Sequence, residues 1–274
     1  MTKRVVVVAT ITPSIIERFV SSFVERTKHD DELHLVIVDA SPDPSSNEEI
    51  AKLCMFWSVK LSSRLHLVRA PNKSLSGNWN TGVQAIRKFV DYICVINDDI
   101  LFPPAWGGVD WLSRLIERME IKNVDCISPQ NHSPEHFPYE QFCERDYGTE
   151  DEETGMLGSC FIVKTAIFDR MFEMEQGKEP YPGLFDENYR FLWEDVDFLY
   201  RLRKCGFRAL ADHRVKLYHF FGQSVLRNPD HNQIYKNGLE YFLKKFNAPQ
   251  SFHTVSNSTY YYVDQNGKAT PFLP

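Results

Sequence analysis

The stretch VVVVATITP, residues 5–13, decides the fold class. Residues 5–11 are apolar on both faces and rich in β-branched side chains, which is typical of a central strand in a parallel sheet. Thr12 and Pro13 then offer a helix cap and a proline for the first helical turn. The stretch therefore predicts a buried strand that leads directly into a helix, the opening unit of an α/β domain.

Similar units follow the first one. Apolar runs predict further strands at 33–38, 65–68 and 92–96. The segments between them predict helices, the last capped by Ser76. This alternation implies right-handed crossovers and a mostly parallel central sheet with helices on both faces. Ligands bind such sheets at the carboxyl ends of the strands, so Asp39 and residues 97–99 are expected to share one edge.

The second half of the chain has a weaker pattern. An apolar stripe between Trp111 and Met119 predicts a helix. Further elements are predicted as strands at 124–128 and 156–163 and a helix at 165–174. Residues 129–153 carry Pro, His, Tyr and acids with little periodicity, which indicates a long loop with a functional role.

The chain of 274 residues, 43% of them hydrophobic, is long enough for one large α/β domain. We predict a single domain over residues 1–248, with halves at about 1–128 and 129–248. Residues 249–274 are polar and aromatic without a clear pattern, so we expect them to form a peripheral hairpin or tail.

Composition narrows the class of partner and the compartment. The formal net charge is -6, and basic residues occur only in small groups, which disfavours a nucleic-acid groove. The six cysteines show no C-x-x-C spacing, and several lie in apolar runs, as expected for a reducing cytoplasm. No apolar run approaches the roughly 18 residues that a membrane span needs. A membrane contact would therefore be peripheral.

Two acidic clusters stand where secondary structure changes. Asn97-Asp98-Asp99 ends a predicted strand, and Glu194-Asp195-Val196-Asp197 begins a predicted helix. Hard oxygen ligands at a strand end suit Mg²⁺ or Mn²⁺, although Asn and Asp are also common in turns. The second cluster could supply a general base, or it could only complement the helix dipole and pair Asp197 with Arg201.

Several segments together carry a family resemblance. They are TITP at 10–13, VD at 38–39, GNWNTG at 77–82, NDD at 97–99, GLFDE at 183–187, WEDVD at 193–197 with Arg201, and YHFFGQS at 218–224. With these segments the chain resembles the family 2 glycosyltransferases of the GT-A fold, including rhamnosyltransferase-like members, over about residues 4–225. NDD matches the family's DXD metal motif except that Asn97 replaces the first acid, so Asp98 or Asp99 must carry the charge.

The resemblance implies a Rossmann-like nucleotide-binding half and an acceptor half. In the first half, Asp39 would bind the uracil or thymine edge, with a turn residue as the alternative. The other donor-binding positions would be Thr10, Asn78, Asn80, Asn97 and Asp98. Asp99, alone or with Asp98, would hold a divalent cation, Mn²⁺ or Mg²⁺, against the diphosphate. His219 would be a further ligand of the metal or of a phosphate, although it could instead be a core histidine.

The resemblance also assigns the acceptor side. Asp195 would be the general base that accepts the proton of the acceptor hydroxyl, and Glu194 is the rival for this role. Trp193 and Asp197 would bind the acceptor. The alternatives are that Trp193 belongs to the core and that Asp197 only pairs with a neighbouring arginine.

The resemblance implies an enzyme that transfers a hexose or deoxyhexose from a UDP- or dTDP-linked donor to a glycan hydroxyl. The reaction would invert the anomeric centre with help from the cation. A retaining transferase of the same fold, and a binding protein with a degenerate site, remain alternatives. Nucleotidyl transfer is disfavoured because residues 9–14 contain neither the glycine nor the lysine of a triphosphate-binding loop.

Overall fold

The computed structural model describes residues 2–70, 74–105, 107–132, 138–139, 158–176, 183–220, 229–248, 252–255, 259–263 and 269–271. Most of the predicted loop at 129–153 and the end of the YHFFGQS segment lie outside these residues. Within them, no helix is both long and apolar enough to cross a membrane.

The described residues form strands and helices in alternation along the first half of the chain. The strands are β1 Arg4–Thr10, β2 Leu33–Asp39, β3 Leu65–Arg69, β4 Tyr92–Asn97, β5 Ile100–Leu101, β6 Cys126–His132, β7 Cys160–Lys164, β8 Ala209–His219, β9 Phe252–Val255, β10 Thr259–Val263 and β11 Ala269–Pro271. The helices are α1 Pro13–Arg26, α2 Pro44–Leu61, α3 Leu75–Ile86, α4 Trp111–Lys122, α5 Ala166–Glu175, α6 Glu194–Lys204 and α7 His231–Phe246. Short 3-10 turns follow α2 and α3.

Eight strands form one mixed sheet in the order β3-β2-β1-β4-β7-β6-β8-β5. Six of them run in one direction, because β1 to β4 pair in parallel and β6 pairs in parallel with β8. β7 runs against β4 and β6, and β5 runs against β8. The prediction of a mostly parallel α/β sheet with β1 in its interior is confirmed.

The side chains of β1 alternate between two cores, one on each face of the sheet. Val6 and Val8 belong to the core that includes α1, α2 and α4. Val5 and Val7 belong to the core that includes α3, α5 and α6. The run of valines is therefore buried on both faces, as its lack of polar alternation predicts.

Glycine brings α3 close to the sheet. A Cβ atom at Gly82 would lie 2.5 Å from Val7 Cγ1 and 2.7 Å from Val38 Cγ2. No side chain fits in that gap, so residue 82 must be glycine for the helix to keep this position. The close packing fixes α3 against β1 and β2.

The cap of α3 and the end of β6 differ from the prediction. α3 is capped by Ser74, whose Oγ accepts a hydrogen bond of 2.9 Å from the Gly77 amide, and not by Ser76, which lies inside the helix. β6 extends to His132, so the start of the predicted loop at 129–153 is strand. The register of β6 on β8 shifts between Pro129 and Gln130. Such shifts cannot be recognised from hydrophobic pattern alone, because a bulge breaks the period of two.

The C-terminal segment forms its own sheet. β9, β10 and β11 pair antiparallel in the order β11-β10-β9. This agrees with the expectation of a hairpin after residue 249. The division into a domain at 1–248 and an extension at 249–274 stays a prediction.

Candidate active site

The ends of β1, β2 and β4 bring the first acidic cluster together with Asp39. The sheet register places Thr10 opposite Asp39, and Ala9 opposite Asn97. Thr10 Oγ1 donates a hydrogen bond of 2.7 Å to Asp98 Oδ2. The expectation that Asp39 and residues 97–99 share one edge of the sheet is confirmed.

Asp39 offers one carboxylate oxygen to a ligand. Its Oδ1 accepts a hydrogen bond of 3.1 Å from the Ser41 amide and a second from the Ser41 hydroxyl. Its Oδ2 is buried and has no hydrogen-bond partner among the described residues. A buried acceptor of this kind is costly unless something donates to it, so a ligand N–H is the natural partner.

Thr10 holds Asp98 at the edge of the sheet where Asp39 also lies. Burial raises the pKa of Asp98 to about 7, the Thr10 hydroxyl works in the opposite direction, and the charge of Asp99 raises the pKa further. The side chain of Asp98 is thus anchored to β1, whereas Asp99 lies toward the neighbouring strand β8.

Asp99 and His219 form a contact pair. β5 pairs with the end of β8, with Ile100 opposite His219, and His219 Nε2 lies 2.9 Å from Asp99 Oδ1. Within the described part of the chain, no cluster of three or more His, Cys, Asp and Glu residues could hold a metal ion. A cation that bridges a diphosphate needs only one or two protein ligands, because the phosphates and water supply the rest. This oxygen and nitrogen pair therefore fits such a cation.

A polar chain continues from His219 to the start of β7. Asn131 Nδ2 lies 3.3 Å from His219 Nδ1 and also donates to Ser159 Oγ. The Ser159 carbonyl accepts a hydrogen bond of 2.9 Å from the Asn97 amide. No sequence pattern marked Asn131 or Ser159, because their contacts depend on the order of strands in the sheet.

Residues 158–159 contact both the second acidic cluster, at 194–197, and the first, at 97–99. Asp195 stands in the first turn of α6, and a Cβ atom built on Gly158 would overlap its carboxylate. Gly158 is therefore in contact with Asp195, while the adjacent Ser159 is bonded to Asn97. Residues 158–159 thus join the two acidic clusters, which are distant in the sequence.

Glu194 differs from Asp195 in its surroundings. It is 5% exposed, and its Oε2 has no hydrogen-bond partner among the described residues. Burial raises the pKa of Glu194 to about 8, and the neighbouring charge of Asp195 adds to this effect. Because burial and the charge of Asp195 both favour the protonated form of Glu194, Glu194 is less suited than Asp195 to accept a proton.

Asp197 lies in a buried ionic cluster, with 0% exposure. Its Oδ1 is 2.6 Å from Arg201 Nε, and its Oδ2 accepts from the Tyr189 hydroxyl at 3.1 Å and from Lys245. Arg201 also contacts Glu175 at 2.8 Å. This placement favours the alternative to the predicted acceptor role, because the carboxylate is occupied by internal partners and is buried.

Trp193 is likewise part of the core. Its ring packs against Tyr235 and Phe242 of α7, with centroids 5.5 Å apart in both cases, and it is 6% exposed. A Cβ atom at Gly238 would lie 2.8 Å from the Trp193 ring. A ring enclosed in this way favours the alternative that Trp193 belongs to the core.

The two asparagines of α3 have different surroundings. Asn80 Nδ2 donates to the Phe185 carbonyl at 2.9 Å, and its Oδ1 accepts from the Phe185 amide at 3.0 Å. Asn80 thus clamps the GLFDE segment to α3, with both ends of its carboxamide occupied. The Oδ1 atom of Asn78 is buried without a partner in the described part of the chain, so Asn78 is the better candidate for donor binding.

Comparison with known proteins gives one family match. The family model described as glycosyl transferase family 2 matches residues 4–171. No curated protein matches the chain.

Solved structures with the same fold are glycosyltransferases of low sequence identity. A mannosyltransferase from Pyrobaculum calidifontis, in complex with GDP-Man and Mn²⁺, has a TM-score of 0.63 and 17% identity, over 90% of this chain and 65% of that one. S. aureus TarS residues 1–349, in complex with UDP, has a TM-score of 0.57 and 12% identity, over 89% of this chain and 72% of that one. GalNAc-T7 with UDP, GalNAc and Mn²⁺ has a TM-score of 0.62 and 14% identity, over 88% of this chain and 48% of that one.

The fold is thus the GT-A fold of these structures. The chain spans about two thirds of the length of the mannosyltransferase and about half that of GalNAc-T7.

Proposed function

The chain belongs to glycosyl transferase family 2, and from this premise we propose that it transfers a hexose or deoxyhexose from a nucleoside-diphosphate sugar to a hydroxyl of a glycan or glycoconjugate. The proposed donor is UDP- or dTDP-linked, and a deoxyhexose donor would agree with the rhamnosyltransferase-like motifs. The five cysteines of the described residues are free thiols, which supports a cytoplasmic location.

On the donor side, Asp39 binds the nucleobase. Its partnerless Oδ2 is an acceptor for the N3–H group that uracil and thymine share. The structural neighbours crystallised with UDP or with GDP-Man bind nucleotides at the same fold. We assign a uracil or thymine base here because an anionic acceptor pairs with a single ring N–H.

Asp99 and His219 hold the divalent cation in this proposal. Two neighbouring structures contain Mn²⁺ together with a nucleotide or nucleotide sugar. A cation bound at this pair would neutralise the charge that develops on the departing diphosphate. The chain's own contribution is to present one oxygen and one nitrogen ligand from two adjacent strands.

Asp195 accepts the proton of the attacking hydroxyl. It stands in the first turn of α6, where the helix dipole favours the ionised carboxylate that a base requires. A hydroxyl activated at Asp195 attacks the anomeric carbon from the side opposite the diphosphate, so a single displacement inverts that centre.

One observation carries the proposal: residues 158–159 contact both acidic clusters. A transferase needs its base and its leaving-group site on opposite sides of one sugar ring. The shared segment sets these two groups at a fixed separation, an arrangement that a protein with only a nucleotide-binding role does not need.

The test combines binding with turnover. Thermal shifts with UDP, dTDP and GDP, each with and without Mn²⁺, identify the nucleotide, because a ligand of the native state raises the melting temperature. Transfer is then assayed with sugars of that nucleotide. We expect Asp195→Asn to lose about 100-fold or more of kcat while it binds the nucleotide normally.

The matched control is Glu173→Gln, an exposed acid on α5 that should keep full activity. Full activity of Asp195→Asn would refute the assignment of the base. NMR of the product decides the stereochemistry, since retention of the anomeric configuration would contradict the single displacement. Absence of any nucleotide binding would refute the transferase proposal itself.

A further inference from the structure

One carboxamide lies between Ser159 and His219. Asn131 Nδ2 donates to Ser159 Oγ and lies 3.3 Å from His219 Nδ1. An amide nitrogen can only donate, so Nδ1 accepts and the proton of the neutral ring is on Nε2. Nε2 then donates to Asp99 Oδ1 across 2.9 Å.

An irregularity of β6 brings Asn131 to this place. Pro129 lies opposite Asp212, but Gln130 lies opposite Lys216, so β8 gains residues 213–215 relative to β6. If the register at Pro129 continued without a shift, Asn131, two positions later, would lie opposite residue 214. With it, Asn131 lies opposite Leu217, two positions before His219. A proline suits such a site because it has no amide proton to give to a ladder.

We propose that Asn131 is a positioning residue, which fixes the ring of His219 so that Nε2 is directed at Asp99. The part of this inference that concerns the cation rests on the proposed function. The part that concerns the ring does not, since it follows from the hydrogen bonds that Asn131 and Asp99 make to its two nitrogens.

The choice of asparagine has a physical reason. When a cation takes the lone pair of His219 Nε2, the proton of the neutral ring must be on Nδ1. A half-turn of the Asn131 carboxamide replaces the Nδ2 donor with the Oδ1 acceptor, which is buried and has no partner among the described residues. Ser159 can accept from the carboxamide in one orientation and donate to it in the other. The ring is thus held in both states, which neither an aspartate nor an apolar residue at 131 could do.

The first test measures which nitrogen of His219 carries the proton in the protein without metal. The ¹⁵N chemical shifts of His219 are recorded at a pH where the ring is neutral, and they are assigned by comparison with His219→Gln. We expect the proton on Nε2 in the natural protein, where Asn131 Nδ2 donates to Nδ1 and Asp99 accepts from Nε2. Asn131→Leu keeps the Asp99 acceptor and should keep the proton on Nε2. Asn131→Asp sets a second acceptor at Nδ1 and should move the proton of the neutral ring in part to that nitrogen. A proton on Nε2 alone in Asn131→Asp, as in the natural protein, would overturn the proposal.

The second test measures the affinity for the cation. Mn²⁺ affinity in the presence of UDP is measured by electron paramagnetic resonance, without turnover. We expect Asn131→Leu to weaken it by about 10- to 100-fold, as is usual when a hydrogen-bond partner of a ligand histidine is removed. Asn131→Asp should retain it, because a carboxylate accepts the Nδ1 proton. Gln130→Leu, one position earlier on β6, is the matched control and should bind Mn²⁺ normally.

The two parts can fail separately. If His219→Ala leaves Mn²⁺ affinity unchanged, the cation role of His219 in the proposed function is refuted. The tautomer experiment still decides whether Asn131 positions the ring. If His219→Ala weakens Mn²⁺ binding while Asn131→Leu does not, the positioning role is overturned although the cation site stands.

Discussion

The carboxylate of Asp195 occupies the space beside Gly158 that a side chain would need. A Cβ atom at residue 158 would overlap Oδ2, Cγ and Cβ of Asp195. The φ angle of Gly158 is not in the left-handed region, so an alanine would meet no backbone strain there. Position 158 therefore requires glycine because of Asp195, and it determines where the base can stand.

We expect Gly158→Ala to reduce kcat by about 100-fold, since a displacement of the base by about 1 Å has an effect of this size. Nucleotide affinity should not change, because the substitution touches no donor-side residue. The measurement is kcat beside the dissociation constant for UDP with Mn²⁺.

The control for this prediction is Gly108→Ala. Gly108 has φ +77° and no atom within 4 Å of its Cβ position. The control should lose about 1 kcal/mol of stability from backbone strain and keep its kcat. Normal turnover by Gly158→Ala would mean that Asp195 need not remain at its present position.

The edge of the sheet that carries Asp39 and residues 97–99 could be predicted from the sequence because it depends on a simple rule. Asp39 and Asn97 each end a hydrophobic run, and the ends of parallel strands meet at one edge of the sheet. The runs themselves are identified by β-branched residues without polar alternation. The sequence therefore predicts β1 to β4, and with them the position of the first acidic cluster.

The link between the clusters could not be predicted in this way. Ser159 lies beside Asn97 because β7 inserts antiparallel between β4 and β6, against the order of the chain. Asn131 depends in addition on the register shift in β6. Both features arise from long-range pairing, which leaves no local pattern in the sequence.

Helix geometry explains why Asp195 and Asp197 do not share a role. At 3.6 residues per turn, positions separated by two lie about 200° apart around the axis. Since Asp195 faces Gly158, Asp197 must face the other way, toward Arg201 and Lys245. The motif reads as one acidic cluster, but the helix divides it between the site and the core.

We expect Asp39→Asn to weaken UDP binding by roughly tenfold, the loss of about one hydrogen bond to a charged group. Stability without ligand should be unchanged or higher, because the substitution removes a buried charge whose Oδ2 has no partner in the described residues. Calorimetry with UDP and thermal melts of the free protein measure the two effects.

The control is Asp43→Asn, at the N-terminus of α2. Asp43 Oδ1 accepts a hydrogen bond of 2.8 Å from the Ser46 amide, and asparagine caps helices equally well. This variant should bind UDP normally. An unchanged UDP affinity in Asp39→Asn would exclude the carboxylate from base recognition.

We expect Arg201→Met to destabilise the fold by about 3–5 kcal/mol, because it leaves the buried Glu175 carboxylate without its cation and Asp197 with Lys245 alone. The Arg201 guanidinium contacts Asp197 at 2.6 Å and Glu175 at 2.8 Å, and all three side chains are buried. Urea unfolding measures the change, with Lys204→Met, at an exposed position of the same helix, as the control. A loss below about 1 kcal/mol, the range of exposed ion pairs, would show that this cluster does not support α6.

Glu194 should make stability fall as pH rises. Its pKa in the folded protein is about 8, above the ordinary 4.5, so the native state holds a proton that the unfolded chain releases between these values. Stability from this group is fully present below about pH 4.5 and is lost as pH rises through 8. Replacement by glutamine, which cannot ionise, removes the dependence.

We therefore expect the melting temperature of Glu194→Gln to exceed that of the natural protein by an amount that grows from pH 5 to pH 9. A gain of several degrees at pH 9 is the expected scale, since about 1 kcal/mol corresponds to a few degrees in a protein of this size. Glu173→Gln, at an exposed position, should show no such trend. A constant difference across the range would mean that Glu194 ionises normally in the fold, and the preference for Asp195 as the base would then have to rest on the contact with Gly158 alone.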